Sequence, residues 1–156
     1  MKKLCAFLLG VFSTVVFAQD WSPTKTVRII VPIQGGTVDI LARLAAPRLQ
    51  EAFGQPVIVE NKPGAGGNIG TELVAKSDPD GHTLLAGYTG PITVNSTLFG
   101  NLPYDPQKDL APITLAVTTP QFLTVHPGVP FNSVKELVAY AKANPGKLSY
   151  GSVGTG

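Results

Sequence analysis

Val27-Arg28-Ile29-Ile30-Val31-Pro32, then Gly35-Gly36-Thr37, then Asp39-Ile40-Leu41-Ala42-Arg43-Leu44: an apolar strand enters a glycine turn and leaves it as a helix. The same order returns in Val57-Ile58-Val59, Pro63-Gly64-Ala65-Gly66-Gly67 and Asn68 to Lys76. Turns of this kind carry free backbone N–H groups and the positive end of a helix dipole to the carboxyl edge of a parallel sheet. Small anions bind at such places. The chain therefore reads first as a binder of an anion or a carboxylate.

Working outward, residues 26–32 form a strand whose near-continuous apolar order implies burial on both faces. Helix 1 is expected over about 38–53, with Ile40, Leu41, Leu44, Ala45 and Leu49 inward, a kink or broken ladder at Pro47, and Gly54 just past its end. Strand 2 follows at about 56–60. Helix 2 follows at about 67–76, with Ile69, Leu73 and Val74 inward. Asp78-Pro79-Asp80-Gly81 is turn chemistry, His82 to Ala86 a third strand, and Pro91 opens a short helix to about Leu98. Gly100 to Pro106 is a loop. The runs Leu110–Val117 and Phe122–Val125 read as strands, the first a crossing or edge strand because of Pro112. Ser133 and Glu136 form a capping box for a helix with Val134, Leu137, Val138 and Ala141 on one face, ending at Asn144-Pro145-Gly146. The alternation means an α/β fold with a mostly parallel sheet.

Lys2 and Lys3, the apolar run Leu4–Phe17 and the small residues Val16 and Ala18 describe a secretory signal peptide, residues 1–18, cut after Ala18. The run is shorter than the roughly 20 apolar residues a spanning helix needs. The single cysteine, Cys5, falls inside this leader, so the mature chain has no disulfide or thiolate metal site. Losing Lys2 and Lys3 takes the basic count from 12 to 10 against 10 acids, leaving a formally neutral chain with no basic block. Nucleic-acid binding has no electrostatic footprint here. The chain stops at Leu148 to Gly156, a strand feeding a third glycine turn with no helix after it, which reads as a truncated product of low stability.

Gly35, Gly36 and Thr37, at the first strand–helix junction, are the leading candidates for ligand contact. Asp39 reads two ways, as a partner for a ligand amine or hydroxyl or as a partner of the helix N-terminus; the residues leave both open. Gly64 to Gly70 spells G-x-G-x-x-x-G after the second strand, so a rigid inter-lobe turn suits it better than a dinucleotide fingerprint. Tyr88, Thr89 and Gly90 sit at the end of strand 3, where a hydroxyl and turn amides suit a carboxylate, although Thr89 could serve only as a helix cap. His82 and His126 each fall at a strand end without metal-ligand spacing, and Gly151-Ser152-Val153-Gly154 is not a nucleophile elbow. No catalytic residue, cofactor or metal is expected. A nucleotide-dependent oxidoreductase is the alternative from another class, and a non-functional truncated copy is a third.

The stretches Val27–Pro32, Gly35–Asp39, Gly54-Gln55-Pro56-Val57-Ile58-Val59-Glu60-Asn61-Lys62-Pro63-Gly64-Ala65-Gly66-Gly67-Asn68-Ile69-Gly70, Asp80–Leu85, Leu102–Pro106 and Asn144–Leu148 resemble the periplasmic receptors of tripartite tricarboxylate transporters, the Bug family. The resemblance covers nearly all of the mature chain. It implies a type II periplasmic-binding-protein-like fold, with lobe 1 in residues 19–115 and an incomplete start of lobe 2 in 116–156. Such a monomeric receptor closes on a small organic carboxylate in the periplasm, hands it to membrane permease subunits and performs no chemistry. Ser152, Gly154 and Thr155 are then lobe 2's contribution to the cleft. One departure stands out: the family's Val-Pro-aromatic-x-Pro-Gly-Gly is here Val31-Pro32-Ile33-Gln34-Gly35-Gly36, one residue shorter and without the aromatic or the second proline.

Overall fold

A computed structural model describes residues 21–152. The leader expected at residues 1–18 lies outside the described residues, as do Gly154 and Thr155. Three parallel strands, β1 (Val27–Val31), β2 (Val57–Asn61) and β3 (Thr83–Leu85), form one sheet in the order β2-β1-β3. Val27 pairs with Val57 and Ile29 with Val59 on one side of β1; Ile29 pairs with Leu84 and Ile30 with Leu85 on the other. The crossovers are α1 (Gly36–Phe53) and α2 (Asn68–Ala75). A β2-β1-β3 order reverses direction at β1, so the topological switch point falls between β1 and β3.

The central strand explains the core. Val27, Ile29 and Val31 project to one face, where α1 buries them with Ala42, Ala46 and Val57. Ile30, fully buried, projects the other way, and α2 packs against β1 and β3. Helix α1 presents Val38, Ala42, Ala46, Leu49 and Phe53 to the sheet; of the face expected from its sequence Leu49 packs inward, whereas Ile40, Leu44 and Ala45 are exposed. Ile40 and Leu44 are 58% and 66% exposed, while the small side chains of Ala42 and Ala46 face the sheet and let the helix sit close. The helix continues through Pro47, which lies on its exposed side. Gly54 ends it in the left-handed conformation, φ 64°, with its N–H donating to the Gln50 carbonyl at 3.0 Å. On α2 the inward residues are Asn68, Gly70 and Thr71, while Ile69 is 52% exposed. A side chain at Gly70 would meet the Lys62 carbonyl and Pro32 at 2.8 Å, so glycine sets how closely α2 approaches the end of β1.

After β3 the chain makes a wide helical turn, Gly90–Val94, which runs directly into α3 (Asn95–Leu98). Of the two strands expected at Leu110–Val117 and Phe122–Val125, neither forms. Residues 111–128 are exposed throughout, and a strand needs a neighbour to satisfy its backbone. The same holds at Leu148–Ser152, which carries no strand, and His126 accordingly adjoins none. Helix α4 (Val134–Ala143) starts as read: Ser133 Oγ accepts from the Glu136 N–H at 3.2 Å, and Glu136 reaches back to the Asn132 N–H at 2.7 Å. None of its residues is buried.

Candidate functional site

All three strands are parallel, so their carboxyl ends lie along one edge, where the chain leaves through Pro32–Gly35, Lys62–Gly67 and Ala86–Thr89. In the first of these turns Gly35 and Gly36 hold φ of 74° and 76°, a region that admits glycine without strain. Helix α1 opens immediately at Gly36 with no side-chain cap. The amides of Gly36, Thr37 and Val38 therefore have no acceptor within the helix, and Gly36 and Thr37 are exposed. The Gly35 N–H is already used: it donates to Asp39 Oδ2 at 3.0 Å.

Asp39 is buried to 8% exposure, and both its oxygens are occupied. Oδ1 accepts from Asn61 Nδ2 at 3.0 Å and stands 3.0 Å from Arg43 Nε. These contacts, the Asn61 hydrogen bond first, hold the carboxyl below its usual pKa against the opposing effect of burial; the Gly35 N–H and Arg43 add to them. They favour the helix-terminus reading of Asp39 over direct ligand contact. Asn61 also donates to the Ile33 carbonyl at 2.9 Å, and Arg43 donates to Asn61 Oδ1 at 2.6 Å. Neither Asn61 nor Arg43 stood out in the sequence. The available signal was a polar amide closing an apolar strand at its carboxyl end.

The second turn is a structural knot. Gly64, Gly66 and Gly67 hold φ of 131°, 63° and 92°, and Ala65 sits at 48°. The Gly66 carbonyl accepts from Tyr88 Oη at 3.0 Å and from Asn95 Nδ2 at 3.2 Å. Asn68 Oδ1 accepts from Asn95 Nδ2 at 2.5 Å, and the Tyr104 hydroxyl lies 3.0 Å from that oxygen and 2.8 Å from the Pro91 carbonyl. Burial pushes both phenols, Tyr88 and Tyr104, up in pKa. These bonds fasten the turn to the segment after β3.

Tyr88 thus directs its hydroxyl into the second turn, while Thr89, exposed, makes no side-chain cap to the helical turn that follows. Gly90 begins that turn. Strand pairing carries these residues alongside the first turn, since the Ala86 N–H donates to the Ile30 carbonyl at 2.9 Å. Ser152 lies in the exposed segment after α4 that carries no strand. Of the histidines, His82 is buried and its Nε2 accepts from the Thr24 N–H at 3.1 Å, whereas exposed His126 accepts from the Gly128 N–H at 3.0 Å. Among the described residues no group of three His, Cys, Asp or Glu could hold a metal. Two clefts, of about 390 Å³ beside Trp21 and Gly81 and about 870 Å³ beside Ile92, Phe99 and Tyr104, are lined by other residues than those of the first turn.

The family profile of the tripartite tricarboxylate transporter family receptor matches residues 41–156. The chain belongs to this family. It is 44% identical over 140 residues to a UPF0065 protein of Bordetella pertussis, covering 88% of this chain and 42% of that protein. It is 39% identical over 157 residues to BugT of the same organism, covering 96% and 48%. The chain thus spans somewhat under half the length of these relatives. Among solved structures, Rpa4515 of R. palustris with adipate superposes with a TM-score of 0.76 at 38% identity, over 83% of this chain and 43% of that one. MatC from Rhodopseudomonas palustris with bound malate gives a TM-score of 0.53 at 42% identity over 56% of this chain and 30% of that one. The periplasmic binding protein BugD superposes with a TM-score of 0.60 at 33% identity, over 78% of this chain and 41% of that one, and the parallel sheet with its two crossovers is part of a type II periplasmic-binding-protein-like fold.

Proposed function

We propose that the chain is the amino-terminal part of an extracytoplasmic receptor that captures a small organic carboxylate for a tripartite tricarboxylate-type transporter. One observation carries the reading: Gly36, Thr37 and Val38 open α1 with no acceptor in the helix for their amides, in the turn that leaves β1 at the switch point between β1 and β3, where open α/β sheets bind ligands. Thr89 and Gly90 complete the edge from β3, and Ser152, Gly154 and Thr155 supply the facing lobe in 116–156, with lobe 1 in 19–115. Adipate and malate in the two solved relatives support a dicarboxylate as the ligand class. The receptor works without chemistry as a periplasmic monomer, exported by residues 1–18 and read by its permease subunits. Ligand shifts the lobes toward closure by touching both only when they are closed.

The test is a thermal-shift panel of adipate, malate, an uncharged diamide and NAD. At a hundredfold excess over Kd, a bound diacid adds about 2.7 kcal/mol, and the diamide adds nothing. No shift with any acid overturns the receptor reading, and a shift with NAD alone favours the oxidoreductase.

A further inference from the structure

Asn61 ends β2 at the carboxyl edge, 28 residues from Ile33 and 22 from Asp39, yet its side-chain amide is bound to both. The amide has two hydrogens and meets two acceptors. One is the Ile33 carbonyl at 2.9 Å, inside the β1–α1 turn; the other is Asp39 Oδ1 at 3.0 Å, in the first turn of α1. Arg43 closes the group from one helical turn further on, through Asn61 Oδ1 at 2.6 Å and Asp39 Oδ1 at 3.0 Å. Asp39 in turn takes the Gly35 N–H.

We propose that Asn61 is a positioning residue of the carboxylate site, acting through Asp39 to hold the first turn with the Gly36, Thr37 and Val38 amides directed outward. The inference rests on the carboxylate reading of that turn and adds a residue to it. Two consequences follow from the chemistry. The Gly35 N–H is withdrawn from the ligand, so the donor set starts at Gly36. The Asp39 charge, which would repel a ligand carboxylate at the same helix end, is spread onto an amide and a guanidinium. The shape of the turn is thus set in part from the neighbouring strand.

The decisive variants are Asn61→Asp and the exchange Asn61→Asp with Asp39→Asn. The first sets two carboxylates where one hydrogen bond stood. The charged groups beside them are Arg43 from α1 and, along β2, Glu60 and Lys62, which face each other at 3.4 Å. Adipate affinity at pH 7.5 then falls at least about tenfold, and the gap to wild type narrows on acidification as the pair takes up a shared proton. Wild-type affinity does not gain from the same acidification. The exchanged pair restores the Asp39–Asn61 bond with donor and acceptor reversed but leaves the Ile33 carbonyl without its donor, so affinity recovers in part, by at least about threefold over Asn61→Asp. In the ligand-free protein, Gly35 amide hydrogen exchange quickens in Asn61→Asp and returns toward wild type in the exchanged pair, while Ile29 and Val31 are unchanged. Equal behaviour of Asn61→Asp and wild type, or no rescue by the exchange, overturns the proposal. If the wild type binds no diacid, the receptor reading fails, and Gly35 exchange alone still decides whether Asn61 sets the turn.

Discussion

At the scale of single residues, two glycines with similar backbone angles carry different burdens. A Cβ at Gly36 would meet nothing within 4 Å, so Gly36→Ala is opposed only by its φ of 76°. It should lower stability by about 1–2 kcal/mol in urea denaturation, and diacid affinity should fall with it because the outgoing amides re-aim. At Gly67, φ 92°, a Cβ would stand 2.6 Å from the Tyr88 hydroxyl and 3.1 Å from Pro91. Gly67→Ala therefore breaks the knot as well as straining the backbone, and its unfolding midpoint should drop further than that of Gly36→Ala. Equal midpoints for the two would contradict this. The Gly-Gly-Thr turn was legible in the sequence because glycine is what positive φ requires. The pairing of Asn61 with Asp39 was not, since nothing in either residue's local sequence says which strands become neighbours.

At the scale of elements, β1 and β2 are joined, on the face away from α1, by a two-pronged ion pair. Arg28 donates through Nε to Glu60 Oε1 at 2.6 Å and through Nη2 to Oε2 at 3.1 Å. The Arg28 bonds, with Lys62 assisting, lower the Glu60 pKa from 4.5 to about 2. A carboxyl depressed in the folded state stabilises above its unfolded pKa, and that contribution is lost as pH falls from 4.5 through about 2. Thermal midpoints measured across this window should fall with acidification in the wild type, and less steeply in Glu60→Gln. Helix α4 offers a separate check. Ser133→Ala removes the cap at Glu136 N–H from a helix none of whose residues is buried. A loss of about 0.5–2 kcal/mol of helix stability should appear as reduced far-ultraviolet helicity. Elements with their own start and stop chemistry were readable from sequence: α1 with Gly54, α4 with Ser133 and Glu136, and the strands β1 to β3. The runs at 110–125 were apolar enough to suggest strands, but a strand is made by its partner, and apolarity does not supply one. The inward face of α1 was misread for a related reason. Ile40 and Leu44 are the more hydrophobic residues, yet close packing on a parallel sheet selects Ala42 and Ala46.

At the scale of the molecule, one compact unit of sheet and two crossovers stands beside a long exposed remainder. Ile113 and Leu115 are 78% and 79% exposed, Phe122 80%, Val134 63%, and α1 adds Leu44 at 66%. Apolar surface of this extent predicts strong fluorescence of anilinonaphthalene sulfonate with the chain at neutral pH; dye emission at the level of a well-covered protein would contradict it. The unit itself places three strand ends on one edge, and the central claim is that the first of them binds a carboxylate through main-chain amides. Amide chemical shifts during an adipate titration test this most directly. Saturable shifts should be largest at Gly36, Thr37 and Val38, with smaller ones at Thr89 and Gly90. Shifts confined to the clefts beside Trp21 or Ile92, or no saturable shift at all, would contradict it.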